Sequence, residues 1–228
     1  MNTNVNFAAG LGVLMLLGTA LLIGAIGVGL IYSLIARRFG WARTITVLLL
    51  IVGGLYLGLI AVFAIASHDT VLARGGEKHF CEIDCHLAYS ITDTKQSKTI
   101  GNPANPATAT GMFSIVTIKT RFDEDTIGPN RGNSPLYPNS RVLTIIDDQG
   151  RRYSPSPEGQ KAIDAAGTGG TPLSTPLRPG EAYTTTVIFD LPSDAKNPTL
   201  LINEGEWITH LVIGHENSPL HKKTRFQL

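Results

Sequence analysis

Apolar and polar positions divide this chain into two regimes. From Phe7 to Ala36 no charged residue interrupts 30 positions, and from Ile45 to Ser67 none interrupts another 23. Each run exceeds the roughly 20 apolar residues a helix needs to cross bilayer hydrocarbon. After Ser67 the pattern changes to short alternating runs separated by Gly, Pro, Asn and Asp, which is how antiparallel strands joined by turns read. Cys81, Ile83, Cys85, Leu87, Tyr89 and Ile91 alternate with Glu82, Asp84, His86, Ala88, Ser90 and Thr92, predicting a half-buried strand. Further strands are predicted over 113–122, 141–146, 183–191, 199–202, 206–213 and 224–228, with a short helix over 157–166. Turns are expected at Asp147-Asp148-Gln149-Gly150 and at Arg178-Pro179-Gly180-Glu181.

The division this predicts is a membrane segment over 1–67, a linker over 68–78 around Gly75-Gly76, and an extracytoplasmic β-sandwich over 79–228. The two transmembrane helices are expected at about 7–36 and 45–67. The turn between them, 37–44, holds Arg37, Arg38 and Arg43, so the positive-inside rule makes it cytoplasmic and directs both termini outward. MNTNVNF lacks the positive charge of a signal peptide, and the first apolar run is too long for one. Small residues four apart, Ala20/Gly24, Ala25/Gly29 and Gly54/Gly58, allow close helix approach, either within a hairpin or against a partner membrane protein. Neither span contains Asp, Glu, Lys, Arg or His, which disfavours a pump or transporter.

Charge sharpens the division. Of 19 Lys and Arg only Arg37, Arg38 and Arg43 precede Arg74, and of 18 Asp and Glu only Asp69 does. The remainder is close to neutral, without the clustered positive face that binding to nucleic acid phosphates requires.

The succession FSIVTIKTRFD, RVLTIIDDQGRRYSP, LRPGEAYTTTVIFDLP and TLLINEG resembles the immunoglobulin-like domain of unknown function found in many bacterial exported antigens, lipoproteins and membrane-anchored proteins. The resemblance covers roughly Phe113 to Gly205 and is clearest at Pro179-Gly180 followed by Val187, Phe189, Asp190 and Pro192. It implies an extracytoplasmic immunoglobulin-like β-sandwich on the outer side of a bacterial cytoplasmic membrane. The matching positions are turn and core residues, so it brings no catalytic group with it.

The chemistry-bearing residues are the two cysteines and six histidines. On a regular strand Cys81 and Cys85 would stand about 13 Å apart, beyond disulfide reach, so a bridge or shared ion needs a bulge or loop. His68, His79 and His86 fall near the start of the outer domain, and His210, His215 and His221 near its end. Neighbouring first and last strands would bring the two groups together around the cysteines. Two thiolates with imidazoles suit copper or zinc, with Cys81, Cys85, His86, His79, His210, His215 and His221 as candidate ligands and Glu82 and Asp84 as outer supports. The helical hairpin, outer sandwich and Cys-x3-Cys pair are similar to cytochrome oxidase subunit II. Here, however, Tyr89 stands where that family places a histidine, and no methionine follows closely. Cys81 to His86 also resembles a cytochrome c haem motif with one residue too many between the cysteines. The competing readings are two small buried residues or a disulfide of an exported protein.

Hydrolase, nucleotide-binding and zinc-protease signatures are lacking, and Gly167-Thr168-Gly169-Gly170 has no Lys and reads as a loop. Asp123, Glu124 and Asp125 read as an exposed turn. The sequence therefore predicts a non-enzymatic module in the lipid bilayer that binds or supports another envelope or membrane-complex protein. The alternative is a copper- or zinc-binding electron-transfer or metal-handling subunit.

Overall fold

Long apolar runs form long helices in the computed structural model, which describes residues 8–80, 86–103, 106–128 and 130–228. Helix α1 spans Ala8–Ile35 and α2 spans Phe39–Ala66, both long and apolar enough to cross a bilayer. The turn between them is shorter than the charge pattern predicts. Arg37 takes a left-handed conformation (φ 54°) and α2 begins at Phe39, so Arg43 lies within the helix. Charge marks a membrane boundary rather than a helix end, and Thr44 and Thr46 do not break α2 because their hydroxyls donate back to the carbonyls of Gly40 and Ala42.

The face that packs is not the one the small-residue pairs indicate. In α2 the covered positions include Ala42, Ile45, Leu49, Val52, Tyr56, Ile60 and Ala64, a three-and-four spacing that forms one seam, with Gly53 and Ala61 beside it. Ala20, Gly24, Gly54 and Gly58 are exposed, and a Cβ at any of the three glycines would meet nothing within 4 Å. Gly29 is the exception, beside Ile45.

The chain divides into two compact units. One comprises Asp69–Glu206 and Lys223–Leu228; the other joins the long helices to Trp207–Lys222. In the first, nine strands among the described residues make two sheets: β1 (Thr70–Leu72), β2 (Lys78–Phe80), β3 (Leu87–Ile100), β4 (Ala107–Phe122), β5 (Arg141–Ile146), β6 (Arg152–Tyr153), β7 (Ala182–Leu191), β8 (Thr199–Glu204) and β9 (Thr224–Gln227). Their orders are β2-β3-β4-β7 and β1-β9-β8-β5-β6, all antiparallel except the β1–β9 pair. The chain is thus a helical hairpin followed by a two-sheet β-sandwich. Leu87, Tyr89, Ile91, Val116, Ile118 and Phe122 pack in one core with Leu143, Ile145, Leu200, Ile202 and Phe226. Helix α3 (Pro157–Ala165), capped by the Ser156 hydroxyl accepting from Gly159 N–H, covers the opposite face of β4 and β7 by packing Ile163 on Phe113 and Ile188.

Three expectations need correction. The stretch 68–78 is not a free linker: Thr70–Leu72 is β1, in register with Thr224–Phe226, and Lys78 is buried with its ammonium donating to the carbonyls of Ile202 (2.7 Å) and Thr224 (3.3 Å). The start of β3 is buried on both faces, Ala88 and Ser90 included, because His79 and Arg121 flank Ala88 on the neighbouring strands and long side chains cover a small one. The run 206–213 is not a strand: Trp207–Leu211 is a 3-10 helix in the unit of α1 and α2. The expected alternation at Cys81 and Cys85 lies outside the described residues.

The turn residues act as predicted. Glu181 N–H donates to Arg178 carbonyl across Gly180, whose φ of 79° favours glycine. Asp190 accepts from the amides of Thr110 (2.7 Å) and Gly111 (2.9 Å), an edge anchor rather than a reactive group.

Candidate functional site

A chain of charge runs into the sandwich where β2, β3 and β4 meet. Strand β4 delivers Arg121, and Asp123 follows at its end as the cap of a 3-10 turn, Glu124–Thr126, accepting Asp125 N–H at 3.2 Å. Glu77 precedes β2 and receives Arg121 through two parallel bonds, Nε to Oε1 at 3.0 Å and Nη2 to Oε2 at 2.8 Å. Arg121 Nη1 also donates to Asp123 Oδ1 (3.1 Å), and Asp123 Oδ2 lies 2.9 Å from Nε2 of His79 in β2. Exposure falls along the chain, from 32% for the Glu77 side chain to 3% for Asp123 and 6% for His79.

Electrostatics follow from these bonds. Hydrogen bonds from Arg121 hold the Glu77 carboxyl below the usual carboxylate range. Burial pushes Asp123 up, but donation from His79 and Arg121 outweighs burial and holds it low as well. The Arg121 guanidinium is raised, foremost by its bonds to Glu77. An ionised Asp123 accepts the Nε2 proton of His79, so in the neutral ring Nδ1 carries the lone pair. That atom is buried and has no hydrogen-bond partner among the described residues. A carboxylate fixing one imidazole nitrogen while the other offers a lone pair is the geometry that orients metal-ligating histidines.

His86 lies beside the same carboxylate in a different role. Its carbonyl accepts Asp123 N–H (2.7 Å) and its ring stacks on Phe122 at 5.1 Å. Thr126 Oγ1 donates to the Asp123 carbonyl (2.7 Å) and sits against His86 Nδ1 at 2.5 Å, so His86 Nδ1 is the donor there. The remaining candidate histidines belong to the other compact unit, each tied to its own segment. His210 Nδ1 donates to Trp207 carbonyl (3.0 Å), His215 Nδ1 accepts Asn217 N–H (2.9 Å) and His221 Nδ1 donates to Lys222 carbonyl (2.7 Å). Cys81, Cys85, Glu82 and Asp84 lie outside the described residues. Among the described residues no three His, Cys, Asp or Glu side chains form a group that would hold a metal ion.

Asp123 corrects the reading of 123–125 as an exposed turn: Glu124 and Asp125 are exposed, but Asp123 is buried. Glu77, Arg121 and Asp123 were missed as a set. The available signal was an acid directly after the inward Phe122, followed three residues later by Thr126.

The sequence matches no known protein family and no curated protein. Among solved structures the chain is similar to MPT63, a secreted protein from Mycobacterium tuberculosis, with 12% identity and a TM-score of 0.43 over 71% of this chain and 98% of that one. It is also similar to a conserved hypothetical protein from Bacillus anthracis, with 11% identity and a TM-score of 0.40 over 57% of this chain and 89% of that one.

Proposed function

We propose that this chain is a non-catalytic, membrane-tethered module with an immunoglobulin-like sandwich on the outer face of a bacterial cytoplasmic membrane, where it supports another membrane-complex protein. The observation behind the supporting role is the outward placement of small residues. Ala20/Gly24 and Gly54/Gly58 are left uncovered by the hairpin seam, and such surfaces let another helix approach closely. The strand orders favour the immunoglobulin-like reading: β3-β4-β7 follow the order A-B-E, and β6-β5-β8-β9 follow C′-C-F-G. Arg37, Arg38 and Arg43 at the helical turn favour a cytoplasmic turn.

Photo-crosslinking side chains placed at Gly54 and Gly58 in living cells are expected to give a discrete protein adduct that the same probe at the seam position Leu49 does not. Adducts with lipid alone would reject the supporting role. Protease added to sealed cells is expected to remove the sandwich; protection of it would place the domain on the cytoplasmic side.

One observation favours a second reading, a copper- or zinc-binding subunit: the unpartnered Nδ1 of His79, oriented by Asp123 two residues before Cys81. On this reading Cys81 and Cys85 supply thiolates and His79, its ring already oriented by Asp123, supplies an imidazole. Purified full-length protein is then expected to retain stoichiometric copper or zinc, lost in Cys81→Ser, Cys85→Ser and His79→Ala but kept in His210→Ala. Metal-free protein with two free thiols, or with a Cys81–Cys85 disulfide, would reject it.

A further inference from the structure

We propose that Trp207–Lys222 is a lipid-embedded element, whose ligand is the headgroup and upper acyl-chain layer of the bilayer at the ends of α1 and α2 remote from Arg37 and Arg38. The inference rests on reading the two helices as a bilayer-spanning pair. It departs from the sequence expectation, in which 206–213 is a strand and the whole segment belongs to an aqueous domain.

Depth is set by contacts inside the helical unit. Lys222 N–H donates to Ser67 Oγ (2.8 Å) just past the end of α2, and Tyr56 Oη donates to Leu211 carbonyl (2.7 Å). Tyr56 lies about 15 Å along α2 from Ala66 at 1.5 Å per residue. Each helix of 28 residues is about 42 Å long. That exceeds a hydrocarbon core of about 30 Å by only about 12 Å. Even if all the excess projects at this end, Tyr56 and the carbonyl it binds reach the hydrocarbon boundary. On α1 the segment approaches so closely at Gly12 that a Cβ there would stand 2.4 Å from Ile213 O.

The segment is also built inside out relative to a water-facing loop. Three of its polar side chains turn inward: Thr209, Asn217 and Ser218 are buried, with Asn217 Nδ2 donating to Thr209 Oγ1 (2.8 Å) and Ser218 Oγ donating to Val212 carbonyl (2.5 Å). Backbone bonds within it, His215 N–H to Val212 carbonyl and Ser218 N–H to His215 carbonyl among them, satisfy non-helical groups that hydrocarbon cannot. Val212 and Ile213 are covered, but its other large apolar side chains point outward: Trp207 is 70% exposed and Leu220 81%, with Ile208 and Leu211 exposed as well. Leu220 does so from a left-handed backbone (φ 63°), a conformation leucine rarely adopts, so the protein holds it outward without covering it. The surface is continuous in character with the exposed Phe63 and Ile65 of the same unit. His210, Glu216 and Lys222 keep the segment at the interface rather than across the bilayer, the level at which tryptophan is enriched.

The chain has two tryptophans, Trp41 by the arginine turn and Trp207, so each can be observed alone. Full-length Trp41→Phe protein is reconstituted without other proteins into phosphatidylcholine nanodiscs, and Trp207→Phe protein is measured beside it; Trp41→Tyr repeats the first in case phenylalanine disturbs the fold. Trp207 emission is expected to be blue-shifted, shielded from aqueous iodide, and quenched more by lipids brominated high on the acyl chain than by lipids brominated near its end. Trp207 open to iodide and indifferent to bromolipid, while Trp41 is quenched, would overturn the proposal and leave the anchor intact. Should neither tryptophan sense bromolipid and alkaline carbonate strip the chain from membranes, the spanning reading falls and the proposal with it.

Discussion

Asp123→Ala is expected to cost the sandwich about 3–5 kcal/mol, the loss typical of removing one partner from a buried ion pair. Three groups depend on this carboxylate: Arg121 Nη1, His79 Nε2 and the Asp125 amide. Truncation leaves the Arg121 charge half-supported and both nitrogens of a buried imidazole unpaired. The pH dependence has a definite sign. Asp123 and Glu77 are both held below their unfolded values, so each contributes stability that is present above the unfolded carboxylate range and disappears as pH falls through the folded value. The wild-type domain should therefore lose stability below about pH 4. Asp123→Asn, which keeps the shape without the charge, should flatten that decline. Urea unfolding of detergent-solubilised full-length protein, followed by amide exchange in β3 and β4, measures both effects. A cost below about 1 kcal/mol, the range of an exposed pair, would show that the network is not buried in solution.

Deleting Thr224–Leu228 is expected to unfold the sandwich, and Phe226→Ala alone to cost about 3–5 kcal/mol. Phe226 is completely buried in the core between the sheets. Strand β9 also pairs with β8 on one side and is the strand on which β1 lies. Its loss removes a core aromatic, strips β1 of its ladder and opens the β8 edge. Against a typical domain stability of about 5–15 kcal/mol this is decisive. Limited proteolysis should cleave the shortened chain within the sandwich under conditions that leave the wild type intact. Persistent resistance with an unchanged β signal would show that β9 is peripheral.

Local pattern was enough to find most elements here, because burial of one face imposes a period that sequence displays. The apolar runs at 7–36 and 45–67 anticipate α1 and α2, and the strands at β4, β5, β7, β8 and β9 fall close to their expected places. Period alone does not say what covers an apolar face. The run 206–213 alternates like a strand, yet Trp207–Leu211 forms a 3-10 helix in the unit of the apolar helices, because apolar side chains answer equally to a protein core and to lipid. The same limit applies to Gly54 and Gly58, whose spacing permits close approach without choosing the partner.

Thiols and imidazoles are chemically conspicuous wherever they occur, so the sequence by itself singled out the cysteine segment and the histidines. It also determined the two long apolar runs, the absence of Asp, Glu, Lys, Arg and His from 7–36 and 45–67, and a following region of alternating strands. Only the tertiary structure decided that Asp123 is buried and that Glu77, Arg121, Asp123 and His79 form one chain. The partners of those bonds lie 44 residues apart and meet only through the registers of β2 with β3 and of β3 with β4. It also separated His79 and His86 from the later histidines by compact unit, and turned 68–78 from a linker into a segment that holds β1, an edge strand of one sheet, and enters β2, an edge strand of the other. Long-range pairing depends on how two distant faces fit, a property of the packed chain that no short window of residues records.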